Sequence, residues 1–488
     1  MLMTDDTSFG EQHNFFIQKT LKLSIYNFLE NLNYIYYRKD MDLSKFDFQH
    51  IWHPCTQMKD HEDFPIIPIK KAKGVWLYDY YGNKILDAIS SWWVNILGHS
   101  NERINNAIKK QLSDFEHIIF AGFTHEPAIK LTEMLLEITP DNLTKLFFAD
   151  NGSSAVEVAI KMSFHYWQLA GNKEKKYFAS ISGAYHGETI GALSVGDIDL
   201  YKKIYKPLLF KTFTAEGPNC FRCKYKKNRE SCDAECFESM EDILKNNSEE
   251  ICAVIIEPMV QCANGMNIYS KEYLIKLYNA CKKYNVHLIV DEIAVGFGRT
   301  GKMFAIEHAK IKPDFMCLSK GITGGYLPLS VVLTTDKIYE AFYDDYTTLK
   351  AFLHSHSYTG NALACAAGKE VLTIFKDDNI LEKNKEKSKI LWDLLNQYFS
   401  NHPNIGEIRQ IGMISALEIV KDKEKKENFP WENRIGFNIY KEAIKNGALL
   451  RPLGDVIYFM PPYVINEDEI EFMVNVAYKS INKVLEYQ

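Results

Sequence analysis

From Lys145 to Leu318, short apolar runs bounded by turn residues alternate with stretches of helical periodicity. The first kind reads as buried strands and the second as amphipathic helices. The predicted strands are Lys145 to Ala149, Lys176 to Ile181, Cys252 to Ile256, His287 to Val290 and Phe315 to Leu318. A helix is predicted from Ser153 or Ser154 to about Leu169, and another over Lys271 to Tyr284. Such alternation predicts an α/β domain with a mainly parallel sheet. Right-handed crossovers then gather the carboxyl ends of the strands on one edge, where such sheets bind ligands. From Gly360 the pattern becomes a long amphipathic helical stretch to about Asn401, followed by a strand near Ile414 to Val420 and a helix ending near Gly447. Short strands at Leu449 to Arg451 and Val456 to Met460 suggest a separate α+β lobe, and no internal repeat is visible.

Composition adds exclusions. The chain has 488 residues, 46% hydrophobic and 25% charged, which is the range of globular proteins and rules out wholesale disorder. A net charge of −6 with scattered Lys and Arg argues against nucleic acid as a partner. No apolar run is long enough for a membrane span and no secretory signal is visible, so a soluble cytoplasmic protein is expected. Ten cysteines are too sparse for a disulfide scaffold. Four of them form a C-x2-C, x8, C-x3-C array, Cys220, Cys223, Cys232 and Cys236, in a loop rich in Lys and Glu. Zinc could staple such a loop, although the spacer is short and a chance or redox-paired cluster is the stronger reading.

Lys320 follows the apolar run Phe315 to Leu318 and precedes the glycine-rich Gly321 to Gly325. A lysine at the buried end of a strand loses hydration, which lowers its pKa and favours Schiff-base chemistry. Asp291 ends another predicted strand 29 residues earlier, about one strand-crossover-strand unit. Lysine and carboxylate on one sheet edge are what an electron-sink cofactor such as pyridoxal phosphate requires. Asp150-Asn151-Gly152-Ser153-Ser154, between a strand and a helix, offers amides and hydroxyls to a phosphate, with Ser154 to Glu157 fitting a capping box. Tyr185 could stack on a planar ring. Gly296 to Lys302 has P-loop spacing, but Met303 stands where magnesium needs a hydroxyl. His354 and His356 would share one face of a strand, yet no second ligand pair accompanies them, and no metal site is expected there.

These residues resemble the class III aminotransferases, from about Phe48 to Val484. The resemblance is carried by His50-Ile51-Trp52-His53-Pro54, Ser90-Ser91-Trp92-Trp93, Tyr185 to Thr189, Asp291-Glu292-Ile293 with Gly296 to Gly301, and Arg451-Pro452-Leu453-Gly454 with Tyr458 to Tyr463. It implies a fold type I pyridoxal-phosphate transferase, with a mainly parallel central sheet in a large domain and a smaller α+β domain built from the N- and C-terminal segments. It implies Lys320 as covalent anchor of pyridoxal 5'-phosphate and mover of the Cα proton, Asp291 on the pyridinium, Gly152 and Ser153 on the phosphate, and Tyr185 against the ring. His356 and Ser357 would reach the cofactor of the partner subunit, making a homodimer. Trp92, Trp93, Ser355 and Arg451 would line the substrate site. The paired tryptophans and the Arg451 segment point to those members that aminate 8-amino-7-oxononanoate in biotin synthesis. S-adenosylmethionine is the expected donor, with lysine the alternative. Three departures stand out, since the family commonly has Tyr or Phe at Cys55, Asp at Glu188 and Gly-Pro-Thr at Ser355-His356-Ser357. Another ω-aminotransferase, a pyridoxal-phosphate decarboxylase or mutase, and a zinc-stabilised binding protein are the remaining readings.

The implied organisation is an N-terminal extension over 1–40, a small-domain segment over 41–95, a large domain over 96–359 with the cysteine-containing insertion at 217–240, and a small domain over 360–488. The first 40 residues have no counterpart in the resemblance, and Met41 is the expected start of the enzyme proper. Deletion to Met41 is therefore expected to leave the melting temperature unchanged, as measured by thermal unfolding of both forms.

Overall fold

The computed structural model describes residues 42–486, so the extension before Met41 lies outside the described residues. They form two compact units that divide after Ile69. The first holds a short helix, Leu43–His50, whose N-cap Asp42 accepts the Lys45 amide at 3.1 Å, and a 3-10 turn, Met58–Glu62.

The second unit is organised by a seven-stranded sheet. Its strands are β1 (Lys145–Ala149), β2 (Tyr177–Ile181), β3 (Thr212–Ala215), β4 (Ile251–Ile256), β5 (His287–Asp291), β6 (Phe315–Leu318) and β7 (Ser330–Thr334). Their order is β1-β7-β6-β5-β4-β2-β3. β7 runs antiparallel to both its neighbours, while the other adjacent pairs are parallel. Every residue of β4, β5, β6 and β7 is buried, as expected of strands covered on both faces and written as continuous apolar runs. One covering helix, α1 (Gly152–Leu169), lies against β6 and β7 through Ala155, Val158, Ala159 and their neighbours. The helix predicted over Lys271 to Tyr284 is α2 (Lys271–Lys283), opened by Ser270, whose hydroxyl accepts the Glu272 amide.

Three smaller sheets accompany the seven-stranded one, one of them the two-stranded pair Val260–Gln261 with Asn267–Ile268. Trp76–Asp79 pairs with Lys84–Asp87, which in turn pairs with Ala448–Leu449, so segments more than 350 residues apart share one ladder. The long helix predicted from Gly360 is in fact two, α3 (Ala362–Asp377) and α4 (Ile380–Phe399). The break falls at Asn379, with φ 50°, a left-handed conformation that Asn tolerates better than most residues. Beyond it an antiparallel sheet is made by β8 (Ile405–Ile411), β9 (Ile414–Ile419) and β10 (Val456–Phe459). Gly412 turns β8 into β9, and a Cβ there would collide with the backbone of Thr300 and Gly301.

The cysteine loop has no regular structure before a 3-10 turn at Glu235–Phe237. Its four cysteines are half-buried free thiols, and burial pushes Cys236 up to about 12. Among the described residues no group of three or more His, Cys, Asp or Glu side chains that could hold a metal ion is found. Two arginines tie the loop to β8 and β9. Arg222 Nη1 donates to Glu418 at 2.8 Å and Arg229 Nη2 to Glu407 at 2.6 Å.

His287, at the start of β5, is buried with its ring stacked on Trp167 at 4.6 Å between centroids and its Nδ1 2.9 Å from Ser163 Oγ. Burial pulls its pKa down to about 3. Its folded pKa lies below the unfolded value, so the unfolded chain binds the extra proton and stability falls as pH drops from about 6.5 towards 3. Between pH 7 and pH 5 the wild type should lose about 2 kcal/mol relative to His287→Gln. Denaturant unfolding of both proteins at the two pH values measures this.

Candidate active site

The register of the sheet brings the first two functional groups together. Asp291 ends β5 opposite Cys317 of β6, and Lys320 follows just beyond the end of β6. Both line a cleft of about 450 Å³ with Trp93, Gly152, Ser153 and Tyr185. Lys320 opens a 3-10 turn with φ 47°, and the hydroxyl of the preceding Ser319 donates to Leu329 O at 2.8 Å. Burial lowers the pKa of Lys320, with Asp291 acting in the opposite direction. The result is an amine that is more readily neutral, and hence more nucleophilic, than a surface lysine.

Two further residues belong to this cluster without having been assigned a role from sequence. His186 is buried, its Nδ1 2.8 Å from Asp291 Oδ2, while Asp291 Oδ1 accepts the Ile293 amide at 3.1 Å. Glu257 accepts the amides of Tyr185 and Cys262, each at 3.0 Å. Burial pushes Glu257 up to about 7, with His186 opposing the shift. Its signal was available, because Glu257 directly follows β4 as Lys320 follows β6 within two residues.

The phosphate-like cradle starts at α1. Asn151 is the N-cap and accepts the Ser154 amide at 3.1 Å, so the capping box predicted at Ser154 to Glu157 does not form. Glu157 turns away from its own helix to accept Thr189 Oγ1 at 2.6 Å and the Gly191 amide at 2.7 Å. Gly152 and Ser153 are left at the mouth of the helix, where amides favour an anion. Space there is tight. A Cβ on Gly187, at φ 119°, would collide with Ser153 Oγ, and one on Gly152 would meet Ile293 Cγ2 at 3.0 Å.

His354-Ser355-His356 is irregular backbone rather than the expected strand. The two imidazoles nevertheless meet, Nε2 to Nε2 at 3.2 Å, with His354 Nδ1 2.9 Å from Lys161 Nζ and His356 Nδ1 3.5 Å from Asp150. Ser355, His356 and Ser357 do not contribute to the cleft lining of their own chain. Trp92 and Arg451 pair with one another, ring to guanidinium at 4.9 Å, and the adjacent Trp93 ring lies 5.1 Å from Lys320 Nζ. The tryptophans sit in a left-handed turn, Ser90 to Trp93, with φ between 45° and 73°, a conformation costing roughly 1–2 kcal/mol per residue. Glu188 lines the cleft and accepts the Tyr185 hydroxyl at 3.0 Å. The P-loop lookalike, Gly296 to Lys302, opens no helix, and its Arg299 is buried with Nη1 donating to Pro461 O at 2.8 Å.

The sequence profile of the family Aminotransferase class-III matches residues 57–481. The chain belongs to this family. Among its relatives, the adenosylmethionine-8-amino-7-oxononanoate aminotransferase of Helicobacter pylori is 48% identical over 435 residues, covering 88% of this chain and 95% of the relative. The crystal structure of the Methanocaldococcus jannaschii protein of that name superposes with a TM-score of 0.86 at 39% identity, covering 90% of this chain and 98% of the other. An omega transaminase from Pseudomonas jessenii in complex with PMP gives a TM-score of 0.87 at 29% identity, covering 92% and 99%.

Pyridoxal phosphate is the cofactor of class-III aminotransferases, and the residues of this aminotransferase fit it. A glycine cradle too tight for a Cβ stands at a helix start, a hydrogen-bonded carboxylate ends β5, and the Lys320 amine lines the same cleft. Gly187→Ala should drive Ser153 out of the cradle and weaken cofactor binding at least about tenfold, or about 1.4 kcal/mol. Titration of the apoenzyme with pyridoxal phosphate, followed by visible absorbance, measures the loss.

Proposed function

We propose that this aminotransferase converts 8-amino-7-oxononanoate to 7,8-diaminononanoate for biotin synthesis, taking the amino group from S-adenosylmethionine. The observation that carries the reading is the aromatic wall. One of its indoles touches the reactive Lys320 amine and the other the Arg451 guanidinium, so an amino-transfer centre and a carboxylate receptor share a surface. Relatives at 40–48% identity bearing the name of this reaction support it.

Pyridoxal phosphate, when bound, supplies an aldehyde to receive the amino group and a ring that withdraws electrons from the reacting carbon. Gly152 and Ser153 would hold its phosphate, and Tyr185 would stack on its ring. Asp291, oriented by His186, holds the proton on the pyridine nitrogen. Lys320 would hold the aldehyde through Nζ, and the same amine would take and return the Cα proton of the donor, a role its lowered pKa suits. Arg451 pairs with the substrate carboxylate in a two-pronged hydrogen bond, while Trp92, Trp93 and Ser355 shape the surrounding wall. His356 and Ser357 serve the cofactor of the partner subunit, which makes the enzyme a homodimer, and the cytoplasm is its compartment.

Lys320→Ala should abolish turnover yet still bind the cofactor noncovalently, since phosphate and ring contacts come from other residues. Borohydride reduction of the wild type should label Lys320, and label on another lysine would overturn the assignment. The donor is decided separately. The Trp92-Trp93 surface suits a sulfonium and an adenine ring, a cation against an indole face gaining roughly 0.5–2 kcal/mol. Lysine would instead need a carboxylate for its distal ammonium, such as Glu188. The expected result is a higher kcat/KM for S-adenosylmethionine than for lysine at saturating 8-amino-7-oxononanoate, read from diamine formation.

A further inference from the structure

Ser90, Ser91, Trp92 and Trp93 have φ of 51°, 45°, 72° and 73°, and ψ of 55° at Ser91 and 45° at Trp92 puts these two in the left-handed helical well. Trp93 N donates to Ile89 O at 2.8 Å and Val94 N to Ser90 O at 3.0 Å, so the segment is a complete turn of left-handed helix with its own hydrogen bonds. L-residues other than glycine visit this well singly, because Cβ crowds the following carbonyl oxygen. A run of four persists only where its surroundings over-determine it.

The surroundings are centred on Asp87, which is wholly buried. Its Oδ1 accepts the amides of Ser91 at 2.9 Å and Ile89 at 3.3 Å. Its Oδ2 accepts the Ser91 hydroxyl at 2.7 Å and lies 2.9 Å from His99 Nε2, whose other ring nitrogen is 2.9 Å from Asn95 Nδ2. From the far side Ser90 Oγ donates to Met460 O at 2.7 Å, and Arg299 Nη2 reaches Trp93 O at 3.4 Å. The lysine loop presses on the same turn, for a Cβ on Gly325 would lie 3.2 Å from Asn95 N.

The hand of the turn decides where the indoles go. In a strand, residues 92 and 93 would face opposite sides, whereas a helical turn sets them about 100° apart. Trp93 is thereby held over Lys320 with its Nε1 donating to Tyr458 Oη at 3.0 Å, and Trp92 against Arg451. We propose that Asp87 is a positioning residue for the substrate, clamping the left-handed turn Ser90 to Trp93 so that the indoles fix the span between the Lys320 amine and the Arg451 guanidinium. This rests on the reading of that wall as the site of 8-amino-7-oxononanoate.

Ser91→Ala and Ser91→Gly, compared as holoenzymes, test the clamp. Both lose the hydroxyl on Asp87, but only glycine occupies φ 45° without strain. The glycine variant should melt about 1–2 °C above the alanine variant, the reverse of their order at an ordinary helical position. Both should raise KM for 8-amino-7-oxononanoate roughly 3- to 10-fold, and Asp87→Asn about tenfold or more, with kcat and the visible band of the bound cofactor changed less than about twofold. An alanine variant at least as stable as the glycine one overturns the proposal, as does an unchanged KM in both Ser91 variants. Loss of kcat and of the cofactor band in step with the rise in KM also overturns it, because that marks general loss of the site. A wild type that does not turn over this ketone overturns the functional reading, and the substrate half of the proposal with it. A normal wild type with unaltered variants overturns the clamp alone.

Discussion

The parallel pairing of β5 with β6 is the constraint on which the site depends. Asp291 pairs with Cys317 across the ladder, so the carboxylate and the lysine just beyond β6 must emerge on the same edge. Neither strand can slip by one residue without turning its side chains to the opposite face, and the strands are buried throughout. β4, also parallel to β5, delivers Glu257 to that edge for the same reason. A buried amine, the Asp291 carboxylate and a second carboxyl are thus set by one hydrogen-bonded register rather than by loops.

Burial then tunes what the register assembles. Taking a charge out of water costs more than any single contact returns, so the groups around the cleft shift in opposite directions, Lys320 downward and Glu257 upward. Asp291 between them is held in one orientation by His186 and the Ile293 amide. An amine that gives up its proton easily beside a fixed carboxylate is the electrostatic arrangement amino transfer needs.

The tryptophan turn beside the cleft is built differently, from segments that meet only in the folded chain. Arg299, in a sequence that resembles a phosphate loop, spends its guanidinium on the backbone oxygens of Trp93, Met460 and Pro461. The glycines around it serve close packing: Gly298 lies near Phe375 and Tyr463, and Gly301 near Gly412. Strain in the tryptophan turn is tolerated because contacts from residues 87, 299 and 460 all converge on it.

Much of the catalytic half was legible along the chain. Strands β1, β2, β4, β5 and β6 and helix α1 are announced by local apolar runs and turn residues, and Asp291, Lys320, Gly152 and Ser153 follow from where those runs end. Periodicity and turn chemistry are properties of neighbouring residues, so they survive without knowledge of the fold. The edge strand β3, with half its residues polar, was too mixed to stand out, and β7 was passed over although it is as long as β1 and longer than β6. The break at Asn379 depends on one residue's tolerance of a left-handed backbone, and periodicity runs straight through it. The partners of Asp291, the buried carboxyl of Glu257, the arginines that hold the cysteine loop and the hand of the tryptophan turn were decided only by tertiary structure. Each depends on groups tens to hundreds of residues apart, such as Ser90 with Met460 or Arg229 with Glu407, whose meeting is a consequence of folding and leaves no periodic trace in the sequence.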